Sequence, residues 1–64
     1  MYYKNYERIR SAAGMTDSQV SEATGIPRMN FSDWKHDRTT PKVANMKKIA
    51  DTLGVTVDEL IKEP

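Results

Sequence analysis

The sequence predicts an all-α protein, a compact five-helix bundle in one domain over residues 1–64. Three observations predict it. Apolar residues recur at helical spacing in successive segments. Gly14, Gly25 and Gly54 each follow such a stretch, where a left-handed C-cap favours a residue without a Cβ. No segment alternates with period two, and the β-branched residues are scattered, so nothing reads as a strand.

The first helix is expected from about Tyr3 to Ala13, with Tyr3, Tyr6, Ile9 and Ala13 on one stripe and Gly14 as its stop. The second opens at Thr16, which with Gln19 forms the capping box T-x-x-Q, and buries Val20 and Ala23 before Gly25. The third begins near Pro27, whose fixed φ suits a first turn, carries Phe31 and Trp34 on one face, and ends around His36–Asp37. Arg38 to Pro41 is a loop, because Pro41 disfavours helical angles at Thr40. The fourth helix runs from about Val43 to Leu53 with Val43, Met46, Ile49, Ala50 and Leu53 inward, and Gly54 closes it. Thr56 and Glu59 give a second box, T-x-x-E, ahead of a short fifth helix with Leu60 and Ile61.

Size and composition narrow the function. A chain of 64 residues makes one small domain, which buries only about 60% of its unfolded surface, so a deep catalytic cleft with its own lid is not expected. With no cysteine, disulfide frameworks, Cys-based zinc sites and thiol chemistry are excluded together, and a chain without such staples points to a cytoplasmic setting. Apolar runs of two or three residues do not span a membrane. Ser, His and Asp all occur, but no cleft-forming architecture assembles them, so the chain reads as a non-enzyme. His36, the one histidine, has no ligand company. No cofactor, metal or small-molecule ligand is expected.

The formal net charge of +1 conceals a distribution. Residues 1–26 are neutral. Residues 27–48 carry Arg28, Lys35, Arg38, Lys42, Lys47 and Lys48 against Asp33 and Asp37, net +4. Residues 49–64 carry Lys62 against Asp51, Asp58, Glu59 and Glu63, net −3. Such asymmetry suits a polyanion-facing side, although charge alone equally describes a solvated helix face.

The second and third helices, together residues 16–36, are separated by only a few residues around Gly25, the spacing of a helix-turn-helix. Ser21 is small enough for a close crossing, and Val20, Ile26, Phe31 and Trp34 supply an apolar wedge. The outward face of the third helix is then Arg28, Met29, Ser32 and Asp33, with Asn30 at its edge. These groups suit base edges: Arg bonds guanine bidentately, Asp accepts from cytosine N4, and Met touches a thymine methyl. On spacing alone, a merely solvated helix pair weighs about the same, since helix pairs around a glycine are common.

The stretch GMTDSQVSEATGIPRMNFSDWK (Gly14–Lys35), followed by TPKVANMKKIADTLGVTVDELI (Thr40–Ile61), resembles the lambda repressor-like family of helix-turn-helix regulators, the Cro/C1 or XRE type found in phages and bacteria. The likeness covers nearly the whole chain in register. It implies that the third helix, about residues 28–36, lies in the major groove of double-stranded DNA, with Arg28, Met29, Ser32 and Asp33 at the base-reading positions. The phosphate-contacting positions fall on Thr16 and Asp17 at the start of the second helix and on Arg38, Thr40 and Lys42 after the third; Asn30 and Lys35 flank the groove. Asp17 departs from the neutral residue usual there, and a carboxylate beside a phosphate is repulsive, so Asp17 is not read as a DNA contact. The family commonly pairs an Arg of the first helix with an acid at the end of the third. Lys35 stands in place of that acid, so Arg10 needs another partner or solvent.

The resemblance implies a sequence-specific transcriptional regulator of the phage or prophage repressor type in a bacterial or phage-infected cytoplasm, associated with the nucleoid. It also implies a weak homodimer on a pseudo-palindromic operator, contacting through Val55–Ile61. Two alternatives stand beside this: a protein-interaction module on the same fold, such as an antitoxin or anti-repressor partner, and the DNA-binding half of a longer repressor. Among the other side chains, Trp34 and Tyr6 read as core, Tyr2 and Tyr3 as partly exposed, Met15 and Met46 as core filler, Met29 as outward, and Lys47 and Lys48 as solvated.

Overall fold

The structure is a computed structural model that describes residues 1–63. It contains α1 (Tyr3–Ala12), α2 (Asp17–Thr24), α3 (Arg28–Lys35), α4 (Val43–Leu53) and α5 (Val57–Ile61), and no strand among the described residues. The helices pack with extents of 23 × 22 × 20 Å, so no helix extends far from the common core.

That core is Tyr3, Tyr6, Ile9, Val20, Ile26, Phe31, Trp34, Ile49, Ala50, Leu53 and Leu60, with Met15 and Met46 packed against its edge. An aromatic chain crosses it from α1 to α3. Tyr3 and Tyr6 centroids lie 5.3 Å apart, Tyr6 and Phe31 5.9 Å, and Phe31 and Trp34 4.7 Å edge to face. Rings meeting edge to face gain quadrupole attraction beyond the area they bury.

Several inward assignments change. Tyr3 is buried rather than partly exposed, and its hydroxyl donates to the half-buried Asp17. Ala13 caps α1 and is exposed, as is Ala23, so the apolar stripes of α1 and α2 end at Ile9 and Val20. Val43 is 63% exposed, because the first turn of α4 overhangs the core that begins at Met46. In the fifth helix, whose two apolar residues carried no inward or outward assignment, Leu60 is fully buried and Ile61 is exposed. The third helix ends at Lys35, with His36 as its cap. The box at Thr16 is complete in both directions, whereas at Thr56 the hydroxyl accepts from Glu59 N–H and the side chain of Glu59 makes no return bond.

Two polar side chains, one buried and one half-buried, tie the helices together. Asn5 donates through Nδ2 to the carbonyls of Glu59 (2.8 Å) and Leu60 (3.1 Å), so α1 caps the end of α5, and it accepts from Arg8 Nη2 at 2.7 Å. Those carbonyls have no partner within a helix as short as α5, and leaving them bare beside the core would be costly. The second group is Asp17, the first residue of α2. Its Oδ2 accepts from Tyr3 Oη at 2.7 Å and its Oδ1 from Tyr6 Oη at 2.6 Å, while Arg10 Nε stands 3.1 Å from Oδ1. Arg10 also donates to the Met15 carbonyl at 2.9 Å, stands 3.7 Å from Glu7, and lies over the Tyr6 ring. Asp17 and Glu7 are therefore the partners that Arg10 lacks at Lys35. A carboxylate at the first turn of α2 is favoured by the helix dipole as well.

The network shifts its own titrations. Burial first, then the hydrogen bond to Asp17, pushes the Tyr3 hydroxyl up to about 12, and the same causes raise Tyr6 further. Burial works against the Arg10 charge, but the Asp17 carboxylate and the tyrosine oxygens outweigh it, and Arg10 holds its proton more tightly than usual.

Two outcomes follow. Asp17→Ala removes two hydrogen bonds to a charged acceptor; discounted because the side chain is 35% exposed, the loss is expected at about 2 kcal/mol in urea denaturation. The raised tyrosine values also fix a pH dependence. Below the unfolded value of 10.0 both states are protonated and the contribution is complete. Above it the unfolded chain loses tyrosine protons first, so stability falls as pH rises towards the folded value of about 12 for Tyr3. Denaturation midpoints measured from pH 9 to pH 11.5 are expected to fall less steeply in Tyr3→Phe and Tyr6→Phe than in the parent chain.

Candidate nucleic-acid interface

The connection between α2 and α3 is three residues, Gly25-Ile26-Pro27. Gly25 sits at φ +75°, a left-handed conformation that turns the chain sharply at the end of α2. Ile26 then drives into the core, and both of its backbone groups are secured. Its carbonyl accepts from the buried Ser21 hydroxyl, and its N–H donates to Thr24 Oγ1 at 3.3 Å. Thr24 in turn donates to the Val20 carbonyl at 2.7 Å. Ser21 thus serves through its hydroxyl as well as its size. Below the turn, Phe31 and Trp34 bury the inner face of α3, which fixes the outer face by the helical period.

On that outer face Arg28, Met29 and Ser32 are exposed, Met29 to 73%. A methionine so open on a soluble helix is unusual, since its flexible thioether ordinarily fills core gaps. Asp33 is half-buried and accepts from Arg38 Nη1 at 3.0 Å. Asn30, Asp33, Thr40 and Lys42 line one shallow groove together with Trp34 and Asn45, between α3, the following loop and the start of α4. Lys42 is the exposed N-cap residue of α4. Lys35 is not part of that group: it lines a separate groove on the α1 side with Tyr2, Lys4, Glu7 and His36. Thr16 is exposed, but its hydroxyl caps α2 by accepting from Gln19 N–H at 3.2 Å. The carboxylate of Asp17 is turned to Tyr3, Tyr6 and Arg10.

The end of α3 is built unlike the sequence expectation. Arg38 N–H reaches back to the Asp33 carbonyl (2.9 Å) and Asp37 N–H to the Trp34 carbonyl (3.3 Å), the paired bonds of a Schellman motif. The same pair closes α1 through Met15 and Gly14 and α4 through Val55 and Gly54. In those two the left-handed residue is glycine; at the end of α3 it is Asp37, at φ +55°. His36 Nδ1 lies 2.9 Å from the Ser32 carbonyl, which requires the proton on Nδ1 and adds a second donor to a carbonyl that already accepts from His36 N–H at 3.2 Å. Dense helix-breaking signals at Arg38–Pro41 concealed this cap, because Asp37 carries none of the glycine signal present at the other two.

Two short helices, a three-residue turn and an exposed outer face on the second define a helix-turn-helix domain. The chain belongs to the Cro/C1-type helix-turn-helix DNA-binding domain family, whose model matches residues 7–63. It is similar to the HTH-type transcriptional regulator PuuR of Escherichia coli, with 23% identity over 61 residues, 95% of this chain and 33% of PuuR. It is similar to the uncharacterized HTH-type transcriptional regulator y4dJ of Sinorhizobium fredii, with 30% identity over 57 residues, 89% of this chain and 74% of y4dJ. It is also similar to the cryptic phage CTXphi transcriptional repressor RstR of Vibrio cholerae, with 31% identity over 51 residues, 80% of this chain and 46% of RstR. The chain thus spans about a third of the length of PuuR. No solved structure matches it at comparable significance.

The strained cap generates a prediction. Asp37→Gly relieves the left-handed conformation and is expected to raise stability by about 0.5–1 kcal/mol, after the extra chain entropy of glycine is set against it. Asp37→Ala is expected to lower it. Thermal denaturation of the two variants, run beside a near-neutral Asp37→Asn, checks the order.

Proposed function

We propose that the chain regulates transcription by binding double-stranded DNA in a sequence-specific way, with α3 in the major groove. The observation that carries this is the composition of the exposed face: among the described residues the side chains of Arg28, Met29 and Ser32 make no hydrogen bond or ion pair, and they lie on a segment of net +4. In the proposed complex Arg28, Met29, Ser32 and Asp33 meet base edges, and Lys42, Arg38, Thr40 and Thr16 meet the backbone, with Asn30 and Lys35 at the margins. A guanidinium, a thioether methyl, a hydroxyl and a carboxylate together offer donor, apolar and acceptor chemistry to successive base pairs. The first turn of α4, with Lys42 before it and exposed Val43, adds free N–H groups for a phosphate.

One copy is shorter than a helical turn of DNA, its longest extent being 23 Å, so it reads one half-site. The proposed functional unit is therefore a weak homodimer on a pseudo-palindromic operator with half-sites ~34 Å apart. Its proposed contact is the Val55–Ile61 region, where Ile61 is exposed. The proposed setting is the cytoplasm of a bacterial or phage-infected cell, and the proposed regulatory type is a phage- or prophage-like repressor. Among the described residues, no helix is long and apolar enough to cross a membrane.

Titration of labelled duplex at two salt concentrations tests the proposal. Affinity is expected to fall steeply with salt, because each neutralised phosphate releases a counterion. A folded protein that binds no duplex, or binds it without regard to salt, would sink the reading. Selection from random duplexes then identifies the site. On that site Arg28→Ala is expected to lose roughly 1–3 kcal/mol and relax preference at one base pair, whereas Lys42→Ala weakens all sequences alike.

A further inference from the structure

Asp33 and Arg38 are joined twice. The backbone N–H of Arg38 donates to the Asp33 carbonyl at 2.9 Å, and the Arg38 side chain donates through Nη1 to Asp33 Oδ1 at 3.0 Å. The first bond belongs to the cap of α3 and brings the two residues together by folding alone. The second uses that proximity to engage the side chains. Asp33 is 31% exposed and Arg38 58%, so the pair lies at the surface of the groove floored by Trp34 rather than inside the core. Its contribution to the fold is correspondingly small.

We infer that Arg38 is a positioning residue for base recognition, and that its ion pair with Asp33 sets the preference at one base pair; this rests on the DNA-binding reading above. The argument is electrostatic and geometric. A lone carboxylate on the recognition face would be repelled by the phosphates on either side of the groove, and it would be free to turn about χ1 and χ2. Arg38 answers both problems. Its guanidinium offsets the charge of Asp33 at 3.0 Å, and its bond to Oδ1 restrains the carboxylate so that Oδ2 has a defined direction. Among the described residues Oδ2 has no hydrogen-bond or ion-pair partner, and it remains an acceptor. In a major groove an oriented acceptor selects a base carrying an exocyclic amine, cytosine N4 or adenine N6, over guanine O6 or thymine O4. A guanidinium has five N–H donors, so the one bond to Asp33 leaves the others for a backbone phosphate. Arg38 thereby links a phosphate contact to a base contact, and the two cease to be independent.

The test compares Arg38→Ala, Asp33→Ala and the double variant with the parent chain on the selected site and on every single base-pair change of it. A residue that only binds phosphate lowers affinity for all sequences equally and leaves the preferences intact. A positioning residue also erases a preference. Arg38→Ala is expected to weaken binding to every duplex and, in addition, to lose the roughly tenfold discrimination at the same base pair whose preference Asp33→Ala loses. The double variant is expected to show no further flattening there. Uniform weakening by Arg38→Ala with every preference retained would overturn the inference while leaving DNA binding standing. So would flattening at a base pair different from the one that Asp33→Ala affects. Absence of any duplex binding by the folded parent overturns both readings at once and is distinguished by that parent measurement. Melting temperatures of the single variants close to the parent's separate these outcomes from a loss of fold.

Discussion

The carboxylate of Asp17 is where the fold and the proposed function meet. It opens α2, accepts from two hydroxyls of α1 and faces the guanidinium of Arg10. Without it, two tyrosine hydroxyls would lose their acceptor and Arg10 its nearest carboxylate, leaving it the Met15 carbonyl and Glu7, and a small core has little surplus from which to offset that. With it, α1 and α2 are locked at their N-terminal ends, and the aromatic chain Tyr3–Tyr6–Phe31–Trp34 carries the constraint through to α3. The same contact removes a negative charge from the approach to α2. An acid that looks ill-suited to a phosphate-facing helix end is thereby turned towards α1, and the exposed end of α2 is left to Thr16 and Gln19.

The turn and the cap complete the placement of α3. At its start both backbone groups of Ile26 are held by side chains of α2, through Ser21 and Thr24, so the entry to α3 is set by hydrogen bonds as well as by the buried isoleucine. At its end the chain makes the same two-bond closure as α1 and α4, but with Asp37 where they use glycine. The strain at Asp37 costs stability in a domain of marginal size. It also keeps a negative charge beside the basic loop, which moderates its attraction to any polyanion.

The fold was legible because its signals are local and mutually consistent. Glycines and capping threonines mark helix ends, and Val20, Phe31, Ile49 and Leu60 sit where the helical period puts them inward. The expectation failed where periodicity ran past the edge of a small core: Ala13, Ala23 and Val43 keep the phase but are exposed. The exposed positions of Arg28, Met29 and Ser32 were legible for the same reason that Phe31 and Trp34 were, since one face implies the other. What the sequence could not reveal was which polar groups find each other. Asp17 with Tyr3 and Tyr6, Asn5 with the end of α5, and Asp33 with Arg38 depend on side-chain reach across tertiary contacts or around a cap. Composition and spacing carry no record of them.

These pairings divide the polar and exposed residues into two kinds. Asn5, Arg10, Asp17, Ser21 and Thr24 carry the fold, and each is tied to a named partner through an interface or a turn. Arg28, Met29 and Ser32 project from a helix whose other face is anchored by Phe31 and Trp34, and among the described residues their side chains make no hydrogen bond or ion pair. A bundle arranged in this way can change those three side chains with little effect on its stability, because surface substitutions away from caps and buried networks are nearly neutral. Asp33 lies between the two groups. It offers a carboxylate to the same face, yet its backbone carbonyl belongs to the cap and its side chain to Arg38. A change at Asp33 is therefore felt at Arg38 and in the loop that leads to Lys42, whereas a change at Met29 ends at Met29. On this framework, specificity is free to drift at the tip of α3 and is constrained where the helix meets its own cap.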